Sequence, residues 1–188
     1  MSHDSTIGKL VWLDLETTGT DAEADPILEI AAVLTGGPEF AEAMVYEQLV
    51  MPAGGITDGL ISAVSPVVAA MHSESGLWND VRERGITRQE AEAGLIQRLR
   101  SFGNPGDYVL AGSGVAHFDR RFLDAQMPAL ASWFRYYVVD VGVLRRSLLA
   151  IGRGDLVPRG TGTKAHRALA DVRQHIEEMR HYRDVLAK

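Results

Sequence analysis

The stretch "LVWLDLETTG", residues 10–19, decides how the rest of the chain is organised. Side chains alternate along an extended strand, so Val11, Leu13 and Leu15 share one face while Trp12, Asp14 and Glu16 share the other. Two carboxylates thus lie on one side of an otherwise apolar strand. An exposed edge strand can carry such a pair, and so can a buried strand that presents a polar site. The acids elsewhere in the chain choose between these readings.

Working outward, "PILEIAAVLT" (26–35) and "AEAMVYEQLV" (41–50) read as two further strands, joined through turn residues in "GGPEF", which predicts an antiparallel meander. The middle, residues 71–102, reads as helical. Gly85 is a stop, Thr87 and Glu90 form a capping box, and Ala91, Leu95, Leu99 and Phe102 mark an apolar stripe. "DYVLAGSG" is a short buried strand running into a glycine turn, and "FDRRFLDAQM" starts a helix that Pro128 limits. "YYVVD" is a strand ending at Asp140, which is either a helix cap or a neighbour of the site. Residues 152–164 form a loop by composition, and residues 165–186 an amphipathic helix. The order predicts an α/β fold with a mixed five-stranded sheet, antiparallel in its first three strands and parallel afterwards, flanked by helices.

A chain of 188 residues is long enough for one domain with a sizeable core, so residues 1–188 are expected to form a single domain with 1–7 flexible. The formal charge of -6 repels nucleic acid if spread evenly, so binding it requires local basic patches or bound cations. The absence of cysteine excludes disulfides, thiolate zinc sites and a cysteine nucleophile. No segment resembles a leader or approaches the roughly 18 apolar residues of a membrane span, which predicts a cytoplasmic protein with no membrane partner.

Asp119 follows a strand and a glycine turn, and Asp171 lies in the last helix five residues beyond His166. Strands ending along one edge, with helices packed on them, can bring Asp14, Glu16, Asp119 and Asp171 to one point. Four carboxylates so placed raise one another's pKa, and divalent cations compensate. All-oxygen ligation favours Mg²⁺ or Mn²⁺ over zinc. Two ions roughly 3.5 to 4 Å apart activate a water and stabilise the leaving oxygen of a phosphodiester. His166 is then the general base, because an imidazole near pKa 6.5 accepts a proton at neutral pH.

At "DLET", "HFDRRFL" and "HRALADV" the chain resembles the DEDDh family of 3′-to-5′ exonucleases, which have a ribonuclease H-like fold. The resemblance implies that Asp14 bridges two metals, Glu16 and Asp171 hold the first, Asp119 helps hold the second, and His166 is the base. Within the family it is greatest to the oligoribonucleases, through "DLETTG", "ILEIAAVLT", "MHSESGL", "DRRFL", "MPAL" and the C-terminal helix. It makes Thr17, Thr18, Gly19, Thr20, His72 and Ser113 the expected substrate contacts, and it implies a homodimer. There are departures: Thr20 replaces a leucine that wedges between bases, Val67 an aromatic, and Tyr137 and Gly142 the arginine and serine that cap the 5′-phosphate of a dinucleotide. Those losses predict trimming of short single-stranded RNA or DNA longer than a dinucleotide. A strict dinucleotide-specific oligoribonuclease, a DNA proofreading or repair exonuclease, and an inert module that binds nucleic-acid ends are the competing readings.

Overall fold

The computed structural model describes residues 7–159 and 166–187. The expected flexible start, except for Ile7, and the last part of the predicted 152–164 loop lie outside them. Strand β1 (Lys9–Thr17) is the centre of a five-stranded sheet that also contains β2 (Ile27–Gly36), β3 (Ala41–Leu49), β4 (Tyr108–Gly112) and β5 (Phe134–Asp140), in the order β3-β2-β1-β4-β5. The β1–β2 and β2–β3 pairs are antiparallel, whereas β1–β4 and β4–β5 are parallel. The mixed sheet expected from the order of elements is therefore the one that forms.

Both faces of the central strand are covered. Val11, Leu13 and Leu15 pack with Ile30, Leu110, Leu95, Leu99 and Phe122, on the side taken by α4 (Arg88–Arg100) and α5 (Asp119–Gln126). Trp12 packs with Ala31, Val33, Val109, Val172 and Ile176, on the side taken by α8 (Ala168–Leu186). Its indole N–H donates to the Thr35 hydroxyl at 2.9 Å, so the one polar atom of this buried ring is satisfied. A continuously apolar strand bearing two acids is thus a central strand, paired with β2 on one edge and β4 on the other and covered on both faces.

Local chemistry explains most boundaries. The capping box forms, with the Thr87 side chain accepting from the Glu90 N–H and the Glu90 side chain accepting from the Thr87 N–H. Gly85 ends α3 (Leu77–Arg84). Pro128 opens α6 (Pro128–Ala131), a single turn after α5. Asp140 caps α7 (Val141–Ala150), accepting from the Val143 N–H at 3.0 Å and also from the Gly114 N–H at 3.1 Å, so it ties the glycine turn to α7. Two helices precede α3: α1 (Asp58–Ala63), capped by Thr57, and α2 (Pro66–Glu74), capped by Ser65 with Pro66 in its first turn. The helical middle therefore starts well before residue 71. The final helix starts three residues later than its composition suggests, because His166 has a φ of +48° and Arg167 is extended. Among the described residues no helix is long and apolar enough to cross a membrane.

Phe102 departs from the predicted stripe. Ala91, Leu95 and Leu99 are fully buried, but α4 ends at Arg100, and the chain turns Phe102 outward to 38% exposure. Replacing Leu95 by Ala is therefore expected to cost about 2–5 kcal/mol of unfolding free energy, as for a well-packed core leucine. Phe102→Ala should cost less than about 1 kcal/mol. Urea denaturation of the two variants checks this, and equal losses would refute the assignment of the buried face.

Candidate active site

Strand β1 outruns its parallel neighbour: the β1–β4 pairing ends at Trp12 and Ala111, while β1 continues to Thr17. Its last residues therefore project past the end of β4 with backbone donors open on that side. The Leu15 N–H is one of these, and the Asp119 carboxylate, at the start of α5, accepts it at 3.0 Å. Asp119 does not cap its own helix; it finishes the edge of β1 and is thereby drawn into the interior at 3% exposure.

Asp14 and Glu16 lie on the α8 side of the same projection, and Asp171, in the first turn of α8, faces them. One carboxylate oxygen from each of Asp14, Glu16 and Asp171 falls within 4.8 Å of the others. The N-terminal turn of α8 offers Asp171 the positive end of the helix dipole, which offsets part of the crowding of negative charge. The donor set is hard oxygen throughout, which suits a divalent cation such as Mg²⁺ or Mn²⁺, and the three oxygens are close enough to share one ion. Asp119 stands outside this triad, although it lines the same cleft.

That cleft has a volume of about 280 Å³, and its walls include Asp14, Glu16, Thr17, Gly19, Thr20, Ser113, Asp119, His166 and Asp171. Nine of the eleven residues expected at the site thus line one hollow. The other two, Thr18 and His72, lie behind it. Thr18 is buried and its N–H donates to the Pro26 carbonyl at 3.1 Å. His72, on α2, has no exposed surface; its Nε2 lies 2.8 Å from the Thr17 carbonyl and its Nδ1 3.9 Å from a Glu16 oxygen. Burial, the largest influence on His72, pushes its pKa down, so the ring is neutral at neutral pH and the Glu16 contact is not an ion pair. Trp78 packs edge-on against the same ring, with centroids 5.0 Å apart.

Four wall residues were not expected: Leu15, between the two acids of β1, Val68 and Met71 from α2, and Phe118 directly before Asp119. The half-buried apolar surfaces of Val68, Met71 and Phe118 give the acidic floor a dry flank. The neighbour relation of Met71 to His72, and of Phe118 to Asp119, was the only sequence signal for them. At Gly19 a Cβ would meet the Asp25 carboxylate at 2.3 Å, so a side chain there would displace Asp25 from its bond with the Asp21 N–H. A larger hollow of about 380 Å³, lined by Ile27, Val50, Pro52, Thr87 and Gln126 among others, contains none of the clustered acids.

A family model described as exonuclease, RNase T, matches residues 11–179. The oligoribonuclease of Xanthomonas euvesicatoria is 34% identical over 187 residues, covering 95% of this chain and 89% of its own length. The probable oligoribonuclease of Dictyostelium discoideum is 34% identical over 180 residues, covering 96% and 91%. Among solved structures, the zinc-bound complex of Escherichia coli exonuclease I with single-stranded DNA matches with a TM-score of 0.72 at 17% identity over 96% of this chain. Exonuclease I of Methylocaldum szegediense matches with a TM-score of 0.68 at 22% identity. This chain spans about two fifths of each of those two longer chains, and the likeness to them is one of fold.

The burial of Asp119 has a thermodynamic consequence. Desolvation is the main cause that raises its pKa from 3.8 to about 7, with bonds from backbone N–H groups opposing and the charge of Asp140 adding to the rise. Between pH 4 and 7 the folded protein without cations keeps this proton and the unfolded chain does not. Stability therefore falls as pH rises through that window, by at most about 1.4 kcal/mol per pH unit. Asp119→Asn retains an acceptor for Leu15 and removes the buried charge. It is expected to raise the melting temperature of the cation-free protein at pH 8 and to leave it little changed at pH 4. Calorimetry at both pH values in chelator checks this; an unchanged or lower melting temperature at pH 8 would count against it.

Proposed function

The chain belongs to the RNase T family of 3′-to-5′ exonucleases, and from that premise we propose that it trims short single strands of RNA or DNA from the 3′ end, releasing nucleoside 5′-monophosphates. The observation that carries this reading is the triad of carboxylate oxygens within 4.8 Å, set in a cleft that also holds His166 and Asp119.

Asp14, Glu16 and Asp171 would hold one divalent cation, Mg²⁺ or Mn²⁺, and Asp119 together with Asp14 a second. When bound, such ions supply Lewis acidity that activates water and stabilises the leaving oxygen of a phosphodiester. The chain's own groups do the rest. His166, on the cleft wall, takes the proton of the attacking water on its imidazole, the side chain type suited to general-base work near neutral pH. Thr17, Gly19, Thr20 and Ser113 line the path of the 3′ nucleotide, while Val68, Met71 and Phe118 offer apolar and aromatic faces for the bases. Thr18 and His72 act from behind by fixing the backbone of the "ETTG" turn.

Several contacts support a length preference beyond two nucleotides. The Tyr137 hydroxyl is occupied by the Ile7 carbonyl (2.9 Å) and the Arg135 guanidinium (2.6 Å), so it is not free to cap a phosphate. Gly142 carries no side chain to cap a phosphate, and a Cβ there would stand 2.7 Å from the Ser113 hydroxyl, which would have to turn aside. Arg145 from α7 donates to that hydroxyl at 3.2 Å and brings a cation to the rim of the cleft. A strict dinucleotide-specific enzyme is the second reading, favoured by the oligoribonuclease relatives at 34% identity. A homodimer is part of the proposal as well, since Tyr136, 92% exposed on edge strand β5, and Leu149 and Ile151 on and beyond α7 present apolar surface.

Asp14→Ala and Asp171→Ala are expected to lose at least about 10³-fold in kcat on a labelled five-nucleotide substrate with Mn²⁺, and His166→Ala about 10²- to 10⁴-fold. Rates on substrates of two, five and ten nucleotides, as RNA and as DNA, should rise or stay level with length. A steep preference for two would reverse the length assignment, and full activity of folded Asp14→Ala would remove the mechanism. Equilibrium sedimentation should show the parent as a dimer and Tyr136→Glu as a monomer, and a monomeric parent would refute the assembly.

A further inference from the structure

Glu29 is a buried carboxylate that the mechanism does not use. It lies on β2, paired in register with Glu16 on β1, and has no exposed surface. Glu16 faces the cation triad, whereas Glu29 is taken up by the start of α8. Arg167 Nη2 and Nε donate to Glu29 Oε1 at 2.8 and 3.2 Å, and Nε also lies 3.3 Å from Oε2. The remaining arm of the guanidinium, Nη1, donates to Asp80 of α3 at 2.8 Å. Glu29 Oε2 accepts in addition from the Ala168 N–H at 2.9 Å. That last bond replaces a side-chain cap, which α8 lacks, because its N-cap residue is Arg167 itself.

Three elements thus converge on the residue next to the general base. His166 has a φ of +48°, a conformation that is rare for residues other than glycine and persists only where the surroundings impose it. Among the described residues, the chain on the C-terminal side of His166 is anchored at once, by the Arg167 fork and by the capped Ala168. A planar bidentate guanidinium fixes direction as well as distance, which a point charge would not.

We propose that Glu29 and Arg167, with Asp80 behind them, form a clamp that holds His166 in its left-handed conformation and so aims the imidazole into the cleft. Both are positioning residues acting through His166. The inference rests on the reading of His166 as the base of a metal-dependent exonuclease.

A double-mutant cycle tests the clamp. Arg167→Met removes the fork but leaves a buried carboxylate unpaired, which threatens folding. The paired change Glu29→Gln with Arg167→Met avoids that, keeping an acceptor for Ala168 and removing both charges. Each is measured alone and with His166→Ala, on a five-nucleotide substrate with Mn²⁺, alongside circular dichroism and calorimetric Mn²⁺ binding. With His166 present, the paired change should lower kcat about 10- to 100-fold, with KM and Mn²⁺ affinity within about threefold of the parent. In the His166→Ala background the same change should cost less than about threefold, because the group it positions is gone. A full loss repeated in that background, a kcat at parental level, or a loss that follows Mn²⁺ affinity or KM would each overturn the clamp while leaving the exonuclease reading intact. A parent chain without metal-dependent cleavage would overturn both.

Discussion

The three carboxylates of Asp14, Glu16 and Asp171 are held with oxygens inside 4.8 Å, and that crowding of like charge is the constraint around which the fold is arranged. Repulsion of this kind would push β1 and α8 apart if those elements were free to move. They are not free, because the strand is buried on both faces and the helix packs Val172, Ile176 and Tyr182 against Trp12, Ala31 and Val109. Apolar packing away from the acids thus holds the acids together, and the helix dipole lowers what that costs. On the proposed reading, a cation entering the cleft would find its ligands already gathered by folding.

The treatment of the four acids at the site differs in a way that the sequence expresses only in part. Their identity and order were legible, because "DLET", "HFD" and "HRALAD" place acids at a strand end, a helix start and a helix first turn. Their environments were not. Asp119 was expected simply as another metal ligand, yet it is nine-tenths or more buried because β1 outruns β4 and leaves the Leu15 N–H for it. Strand lengths relative to one another are a property of the assembled sheet and leave no local mark. The same holds for His72, expected at the 3′ nucleotide and found supporting the Thr17 carbonyl from inside. Its helix was anticipated; the side that α2 turns to the site follows from where Trp78 and Thr17 lie, which is tertiary.

Boundaries failed for the same reason and succeeded where chemistry is local. The Thr87 capping box, the Gly85 stop and the Pro128 break are contained within a few residues, and all three stand where they were read. The start of α8 is different: its composition extends the helix back to residue 165, but Glu29, about 140 residues earlier, accepts the Ala168 N–H and clamps Arg167, so the helix starts at Ala168. A long-range ion pair has overruled local propensity beside His166, whose backbone takes a φ of +48°.

Charge resolves the last tension, that a chain of net charge -6 belongs to a family acting on a polyanion. Much of the acidic surface is already matched within the fold: Arg173 pairs with Glu42, Arg180 with Glu177, Arg183 with Glu39 and Asp184, and Arg84 and Arg167 with Asp80. The field that a strand meets at the cleft is therefore set less by the total than by the floor and the rim. The floor carries the clustered carboxylates, and on the rim Arg145 donates to Ser113 while lying 3.7 Å from Glu178. On the proposed reading, cations held by the three carboxylates would relieve the repulsion that an oligonucleotide phosphate meets at the floor, which would couple substrate binding to metal loading.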